Sequence, residues 1–599
     1  MATRYRQRLE NWLSQERGAI GKGWGGRIPI ALVYPSRYFV AMSNLGFQTV
    51  YRLFNQLDQV VCERFFLPEP EDLPQAAAGA GPLSLESRRP LKDFRIVAFS
   101  VAFENDFPHL VHLLHLGNLS LDASRRRQDD PLVVAGGVAA FLNPEPIAPF
   151  VDLVLLGEAE PMLKAFVSAW EEADSAGLSR EERLVHLAGC VPGAYAPSLH
   201  RPEYHADGTL AAFVPLVSSL PPAIRAQAAF FQGAEPAARS AVLTPHTEFA
   251  ETTLVEIGRG CGRACRFCVA GFVYRPVRFQ SQDAVARAAL RSHFPAGKVG
   301  LVSAAVSDHP EIEAICLELR RAGASLTVSS LRADSITPTL LGALRESGLQ
   351  TVAIAPEAGS DRLRRVINKD LTEEKILDSV TAVADAGIPN VRLYFMIGLP
   401  TETEEDVAGI IQLVKGIKHR LLTVGRGRGR LGTITVSVNS FVPKPATPFQ
   451  WCPFGDLSVL KQRIKKLRRG LGSVPNVRVH ADVPRWAYLQ ALLARGDRRL
   501  APLLTAVVEG GGSWARAMKR VNVNPEFYVY RERGGEELFP WDFIDHGVRR
   551  DYLWSEYEQA LAGRLTPPCE PEHCRRCGVC GATPLPSHGA HEPSAGLPA

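Results

Sequence analysis

Two serial arrays of short apolar segments, separated by amphipathic stretches, constrain this chain more than any other feature of its sequence. In the first array, residues 28–34, 96–100, 132–135 and 153–156 are rich in Val, Ile and Leu. Such runs suit strands of a parallel sheet covered on both faces. They end in small or turn-forming residues, Pro35-Ser36, Gly136-Gly137 and Gly157-Glu158, and ligands of open α/β sheets bind at such carboxyl ends. This predicts a doubly wound, Rossmann-like α/β domain over residues 1–175. Residues 176–250, with many Ala and Pro, read as a connector carrying a few strands. The second array places strands at 254–258, 299–304, 325–330, 351–355, 390–397 and 433–440, with helical stretches such as 311–322, 337–347, 372–386 and 404–418 between them. Six β/α units in series predict a (β/α)6 partial barrel over 251–450, too short to close eight-fold. Its open side would suit a large substrate or a neighbouring domain. Residues 451–565 then read as a mostly helical C-terminal domain (457–470, 486–495, 500–509), and 566–599 as a Cys-rich metal-binding tail whose end, 583–599, is expected to be disordered.

A chain of 599 residues is too long for one core, so several domains are required. Its 46% hydrophobic and 22% charged content is ordinary for a globular protein. No run approaches the eighteen apolar residues of a transmembrane helix, and Met1 to Asn11 lacks the apolar stretch of a secretory signal. The expected location is therefore cytoplasmic. The net charge of +5 does not demand a nucleic-acid partner, although basic residues gather at 418–430 and 461–469. These clusters are either solvated faces or the footprint of an anionic partner such as RNA or a ribosome. Of the eleven cysteines, Cys62, Cys190, Cys316 and Cys452 are scattered and read as small core residues. The other seven form two tight groups, which in a reducing compartment indicate metal or redox chemistry.

The first group, Cys261, Cys265 and Cys268, follows directly on the first barrel strand with C-x3-C-x2-C spacing. Three thiolates hold three irons of a [4Fe-4S] cubane and leave the fourth open, whereas four would close the cluster. An open iron can act as a Lewis acid towards an amino-carboxylate chelate, and it can pass an electron to a sulfonium, breaking a carbon–sulfur bond and releasing a 5′-deoxyadenosyl radical. A zinc loop would want a fourth ligand, and no further Cys or His lies within ten residues.

This spacing, with Phe267 before the third cysteine, resembles the radical SAM superfamily, and the resemblance spans the barrel. Ser329-Ser330-Leu-Arg332-Ala-Asp334, Ala355-Pro-Glu357-Ala-Gly359-Ser360-Asp361-Arg362 with Asn368-Lys369, and Leu393-Tyr-Phe395-Met396-Ile-Gly398 end the third, fourth and fifth strands. In relatives such segments bind S-adenosylmethionine (SAM). The resemblance implies that Phe267, Ser330 and Met396 line that site and that Gly359 and Gly398 let backbone approach the adenosine. Glu357 would meet a ribose hydroxyl or the ammonium, and Arg332 or Arg392 would pair with the carboxylate. The second strand ends Val302-Ser303-Ala304-Ala305, where many relatives carry Gly-Gly-Glu. An electron donor such as flavodoxin or ferredoxin is implied as well.

Met42-Ser-Asn44-Leu-Gly46, Phe103-Glu104-Asn105-Asp106 and Gly157-Glu158-Ala-Glu160 resemble the cobalamin (B12)-binding-type domain ahead of many radical SAM domains. The Asp-x-His-x-x-Gly motif that supplies a lower axial histidine is absent. Either cobalamin binds without a protein ligand, or the fold has lost its cofactor. Glu104, Asn105 and Asp106 would face the barrel mouth or cap a helix. The second cysteine group, Cys569, Cys574, Cys577 and Cys580, resembles ferredoxin-type wrapping of a second [4Fe-4S] cluster, with structural zinc as the alternative. Three functional readings stay open. One is a radical SAM enzyme modifying an unidentified substrate, the second a cobalamin-dependent radical SAM methyltransferase, and the third an RNA- or ribosome-associated modification factor. The Ser440–Pro448 segment resembles relatives that include both RNA methylthiotransferases and SAM-dependent methylases, and so names no substrate.

Overall fold

The computed structural model describes residues 4–79, 81–231, 237–290, 297–426 and 432–582. The expectation of disorder at 583–599 lies outside the described residues.

The N-terminal domain is a six-stranded sheet of β1 (Ile28–Tyr34), β2 (Val60–Phe66), β3 (Ile96–Ser100), β4 (Leu132–Gly136), β5 (Leu153–Leu155) and β6 (Ala194–Tyr195), in the order β2-β1-β3-β4-β5-β6. The first five pair in parallel and β6 is antiparallel. The topological switch lies where the chain leaves β1 for opposite sides, and such crevices bind ligands at the carboxyl ends. Four of these strands stand where the apolar runs place them. β2 does not announce itself, because Cys62-Glu63-Arg64 interrupts its apolar run, yet all seven of its residues are buried. Burying those charges is tolerable because each is met. Arg64 pairs with Glu16 at 2.6 Å and Glu86 at 2.7 Å. Glu63 accepts from Trp24 Nε1 at 2.7 Å and Ser87 Oγ at 2.5 Å.

The barrel contains seven parallel strands: β7 (Thr252–Glu256), β8 (Lys298–Val302), β9 (Ser325–Val328), β10 (Thr351–Glu357), β11 (Asn390–Ile397), β12 (Ile434–Ser440) and β13 (Val477–Ala481). They form a three-stranded and a four-stranded sheet, joined by a parallel bridge between Leu331 and Ile354. The six anticipated strands are all present. The seventh, β13, was hidden in the region read as helical, because Val477-Arg478-Val479-His480-Ala481 alternates with polar residues on an exposed edge. Along β10, β11 and β12, buried and partly open positions alternate. One face therefore packs under helices while the other lines an interior that stays open.

Helices α1 (Glu404–Arg426), α2 (Leu457–Gly472), α3 (Pro484–Arg495) and α4 (Arg550–Leu561) complete the parts of the scaffold used below. The C-terminal region is fastened to the N-terminal domain and to the connector. Asn143 Nδ2 donates to the carbonyls of Ala494 and Gly496 at 3.1 and 2.8 Å, and Arg498 pairs with buried Glu145 at 2.8 Å. A short parallel pairing joins Ile224–Arg225 to Ile544–Asp545. Among the described residues no helix is long and apolar enough to cross a membrane.

Candidate active site

The cysteine loop begins where β7 ends. Gly258–Arg259 pairs antiparallel with Arg278–Phe279, pinching the ends of the loop together. Gly260 has φ +81°, and a Cβ there would lie 2.3 Å from the Tyr274 carbonyl oxygen, so only glycine fits. Ala264 also takes a left-handed φ of +55°, a strained choice for a residue with a side chain. It is held by Asn368 Nδ2, which donates to its carbonyl at 3.1 Å. Between the second and third cysteines, Arg266 is fully buried and binds Glu556 at 3.1 Å and the carbonyls of Arg365, Val366 and Arg564.

Cys265 is buried, and Cys261 and Cys268 are half-buried. Backbone N–H groups face the sulfurs, from Arg263 towards Cys261 at 3.5 Å and from Ala270 and Gly271 towards Cys268. Burial first, and the neighbouring thiols second, push the Cys268 thiol up to about 12; burial likewise raises Cys261. Metal binding relieves such crowding, since ligand thiols bind deprotonated. Among the described residues no three or more His, Cys, Asp or Glu side chains are already converged as ligands on one metal ion. Three neighbouring thiols on one loop, with donors aimed at the sulfurs, fit the three-cysteine face of a cubane.

Around this loop the arginines are paired within the protein. Arg263 forks onto Asp308 at 2.8 Å. Arg332 forks onto Asp334 at 2.9 Å, and although burial opposes it, that partner raises the guanidinium above its ordinary value. The fork expected for the carboxylate of SAM is thus already occupied. Arg392 is exposed on β11, two positions before Tyr394, and does not line the cavity. Ser330 lies half-buried just past β9.

A cavity of about 880 Å³ opens beside the cysteine loop, walled by Phe267, Val269, Glu357, Tyr394 and Met396 among others. Glu357 has φ +68°, a conformation that costs on the order of 1–3 kcal/mol and clusters at functional positions. Burial raises its carboxyl above the usual range, opposed by Lys369, whose ammonium stands 3.4 Å away. The two strand-end glycines have a different use from the one expected. A Cβ on Gly359 would lie 2.3 Å from Asp406 O and Ile410 N of α1, so this glycine lets a helix pack on the strand end. Gly398 takes φ +82° and faces Leu460 of α2, while its N–H donates to Glu402 at 2.6 Å. Neither lines the cavity.

A second cavity, of about 510 Å³, lies between the carboxyl edge of the N-terminal sheet and the barrel. Its wall includes Asn44, Gly137 and Met162 on one side and Gly300, Thr327 and Ser329 on the other. Gly137 has φ +95°, and a Cβ there would meet Val101 backbone at 2.6 Å. At its edge Arg259 pairs with Glu158 at 2.6 Å, Glu256 at 2.7 Å and Glu160 at 2.8 Å. Arg278 grips Glu158 from the other side at 2.6 Å. Residues of the cysteine loop and the Gly157-Glu158 turn thus share one buried ionic knot. No histidine lines this cavity among the described residues. Of the expected mouth residues, Glu104 accepts from Lys444 at 2.5 Å and Gln490 at 2.9 Å, so it ties β3's loop to the barrel and α3 rather than capping a helix.

The C-terminal cysteines come back to the first group. The Cys569 N–H donates to the carbonyl of Gly262 at 2.7 Å, one residue beyond Cys261. Thr566 N–H donates to Asn368 Oδ1 at 2.9 Å, so Asn368 clamps both segments. Cys569 contacts the thiols of Cys574 and Cys580, and Arg275 faces Cys577. Arg576 Nε donates to Cys574 Sγ at 3.4 Å; burial would raise that thiol, but Arg576 brings it below the usual range. Arg575 instead binds backbone carbonyls. Four neighbouring thiols, with Arg576 beside Cys574 and Arg275 beside Cys577, fit a metal site.

The chain is also similar to known proteins. The model of the radical SAM superfamily matches residues 255–414, and that of the N-terminal region of radical SAM proteins matches residues 46–197. An uncharacterized protein of Methanocaldococcus jannaschii is 29% identical over 478 residues, 79% of this chain and 90% of that one. A threonylcarbamoyladenosine tRNA methylthiotransferase of Treponema pallidum is 23% identical over 250 residues, 39% of this chain and 50% of that one. Among solved structures, the radical S-adenosylmethionine methyltransferase TsrM of Kitasatospora setae, with cobalamin and a [4Fe-4S] cluster bound, aligns at a TM-score of 0.48 and 12% identity, covering 82% of this chain and 98% of that one.

One titration is built into this region. His546 lines a small cavity with Cys580 and Arg275, and both its ring nitrogens are buried without partners among the described residues. Burial above all holds its pKa down to about 4, Asp545 opposing and Arg225 assisting. The folded state resists a proton that the unfolded chain accepts near 6.5. Its stabilising effect is therefore complete above about pH 6.5 and is lost as pH falls towards the folded value, at up to about 1.4 kcal/mol per pH unit. Urea midpoints of wild type and His546→Phe, compared from pH 7.5 to 4.5, should converge as pH falls if the variant packs less well and diverge in its favour if it packs equally. A constant difference would refute the titration.

Proposed function

The chain belongs to the radical SAM superfamily, and from that premise we propose that it is a cobalamin-dependent radical SAM methyltransferase. The observation that carries the proposal is the cavity of about 510 Å³ between the carboxyl edge of the N-terminal sheet and the barrel. Its size is that of a cofactor site, it lies at the topological switch point, and the ionic knot of Arg259 joins its wall to the cysteine loop. Cys261, Cys265 and Cys268 would hold the [4Fe-4S] cluster, which supplies an electron to the sulfonium of SAM. Phe267, Glu357 and Met396 would enclose SAM. Bound cobalamin would supply a cobalt able to carry a methyl group, and Gly137, packed against the Val101 backbone, would hold the turn at the end of β4 that borders it.

The protein's own residues exclude water and hold these parts in register. Glu104, with Lys444 and Gln490, fixes the N-terminal domain over the barrel mouth. A flavodoxin or ferredoxin would bring the electron. We assign the C-terminal thiols to a second cluster, because the Cys569 contact with Gly262 brings them beside the first, where an electron can pass. The exposed stripe of Lys461, Lys465 and Arg468 on α2 favours RNA as the alternative partner, although Arg463 and Lys466 of the same helix are spent on Glu402 and Glu404. In the other basic segment Lys418 is buried, and 427–430 lie outside the described residues.

Anaerobically reconstituted protein should form 5′-deoxyadenosine or S-adenosylhomocysteine from SAM under dithionite, and the Cys261/Cys265/Cys268 triple alanine variant should form neither while keeping its far-ultraviolet circular dichroism. Normal SAM turnover by that variant would end the central reading. The same preparation should take up cobalamin in a base-off state. Nitrogen hyperfine splitting from histidine in the Co(II) resonance would exclude the site as assigned, and failure to bind would exclude cobalamin-dependent methyl transfer.

Truncation before Cys569 should remove about four irons per chain and slow turnover with flavodoxin more than with dithionite. Loss of one zinc with iron unchanged would make the tail a structural clip instead.

A further inference from the structure

The cavity of about 880 Å³ has two ends of different construction. Its inner end, beside Cys268, is made by the cysteine loop and the ends of β10 and β11, the surroundings assigned above to SAM. The outer end is assembled from parts of the chain far apart in sequence. Phe103 and Asn105 come from the N-terminal domain, Ser440 from the end of β12, and Val483 and Trp486 from the start of α3. None of these belongs to the strand-end segments that form the inner end.

Trp486 and Val483 are each 57% exposed, and Phe103 is 44% exposed. Tryptophan is on average a well-buried residue, so an open indole face on a cavity rim is a surface that a ligand would cover. The same end contains polar atoms in need of partners. Asn105 Oδ1 and Ser440 Oγ are buried and have no hydrogen-bond partner among the described residues, and Ser440 as a whole is only 9% exposed. Buried polar atoms are ordinarily partnered, and exceptions call for a specific cause. The cation of this wall, Lys444, is already committed to Glu104 at 2.5 Å, which leaves little to attract an anionic group.

We propose that the outer end is the substrate compartment and that it takes a planar heteroaromatic ring carrying an N–H donor. The ring lies on the indole face of Trp486, and its N–H donates to Asn105 Oδ1. Stacking on an exposed aromatic face tolerates many ring types, while the amide oxygen, an acceptor only, selects those with a donor. Because Asn105 sits one residue from Glu104, the clamp that docks the N-terminal domain also places the acceptor. The proposal rests on the reading of the inner end as the SAM site.

The test uses reconstituted holoenzyme saturated with SAM, with indole as the probe and indene as its counterpart without the N–H. Indole should bind, and about fivefold more tightly than indene, the worth of one hydrogen bond. Trp486→Ala should weaken indole about tenfold, whereas Trp486→Phe, which keeps an aromatic face, should stay within about threefold. Asn105→Ala should bring indole and indene level. A single-stranded RNA dodecamer that displaces indole with steep salt dependence would mark a strand-borne ring as the source, and failure to displace it would mark a free small molecule. If indole and the RNA both fail to bind while SAM binds, or if Trp486→Ala binds indole as wild type does, the compartment reading falls and the SAM site stands. If SAM itself fails to bind, the reading of the inner end falls instead.

Discussion

Arg259 is the residue on which the assembly turns. It immediately precedes the cysteine loop, yet its guanidinium answers Glu158 and Glu160 of the N-terminal domain as well as Glu256 of its own strand. Arg278, across the two-residue ladder that closes the same loop, holds Glu158 from the other side. With only two cations for three carboxylates, every charge of this knot depends on the others being in place. Taking one partner from a buried ion pair leaves an uncompensated charge, which costs about 3–5 kcal/mol. The cysteine loop therefore cannot shift alone. It moves with the carboxyl edge of the N-terminal sheet or not at all, and a cavity between the two keeps its shape.

A second linkage acts from the opposite side. Asn368, in a left-handed turn at φ +54°, gives its amide to Ala264 of the loop and to Thr566 of the C-terminal segment, and its oxygen accepts the Thr566 N–H. Arg266 carries the same segment through Arg564 and Thr566. The loop is thus held by the N-terminal domain at its entrance and by the C-terminal segment in its middle. The last cysteines are brought in as part of that support, since Cys569 follows Thr566 by three residues and hydrogen-bonds to Gly262.

What the sequence disclosed follows from which signals are local. The cysteine spacing is local, and so are the apolar runs of parallel strands buried on both faces, so the two arrays and both thiol groups stood out. β2 and β13 did not. β2 buries Glu63 and Arg64 whose partners, Glu16, Glu86, Trp24 and Ser87, lie elsewhere in the chain, and β13 is an edge strand with alternating polar positions. The glycines illustrate the same limit within the site. A glycine at a strand end signals close approach of something, and at Gly359 that something is the backbone of α1 rather than a ligand. Arg332 signals an anion, and the anion turned out to be Asp334, two residues away. No pattern along the chain distinguishes an arginine kept for a ligand from one already paired.

The Glu104 contact shows why the site had to be assembled from separate parts. Phe103-Glu104-Asn105-Asp106 is one short segment, yet its residues divide between tasks. Glu104 is buried, and although burial opposes ionisation, Lys444 and then Gln490 bring its carboxyl below the usual range, so it remains charged as the anchor of three elements. Its neighbours on either side, Phe103 and Asn105, are left on the cavity wall. An anchor of this kind makes domain docking and cavity formation one event. Lys444 reaches Glu104 only when the N-terminal domain sits over the barrel, and only then do Asn105 and Trp486 line one cavity. A separate barrel would lack Phe103 and Asn105, the part of the wall that the N-terminal domain supplies. The order of the chain, with the doubly wound domain first, the barrel second and the closing helices last, is consistent with a cavity that no single domain contains.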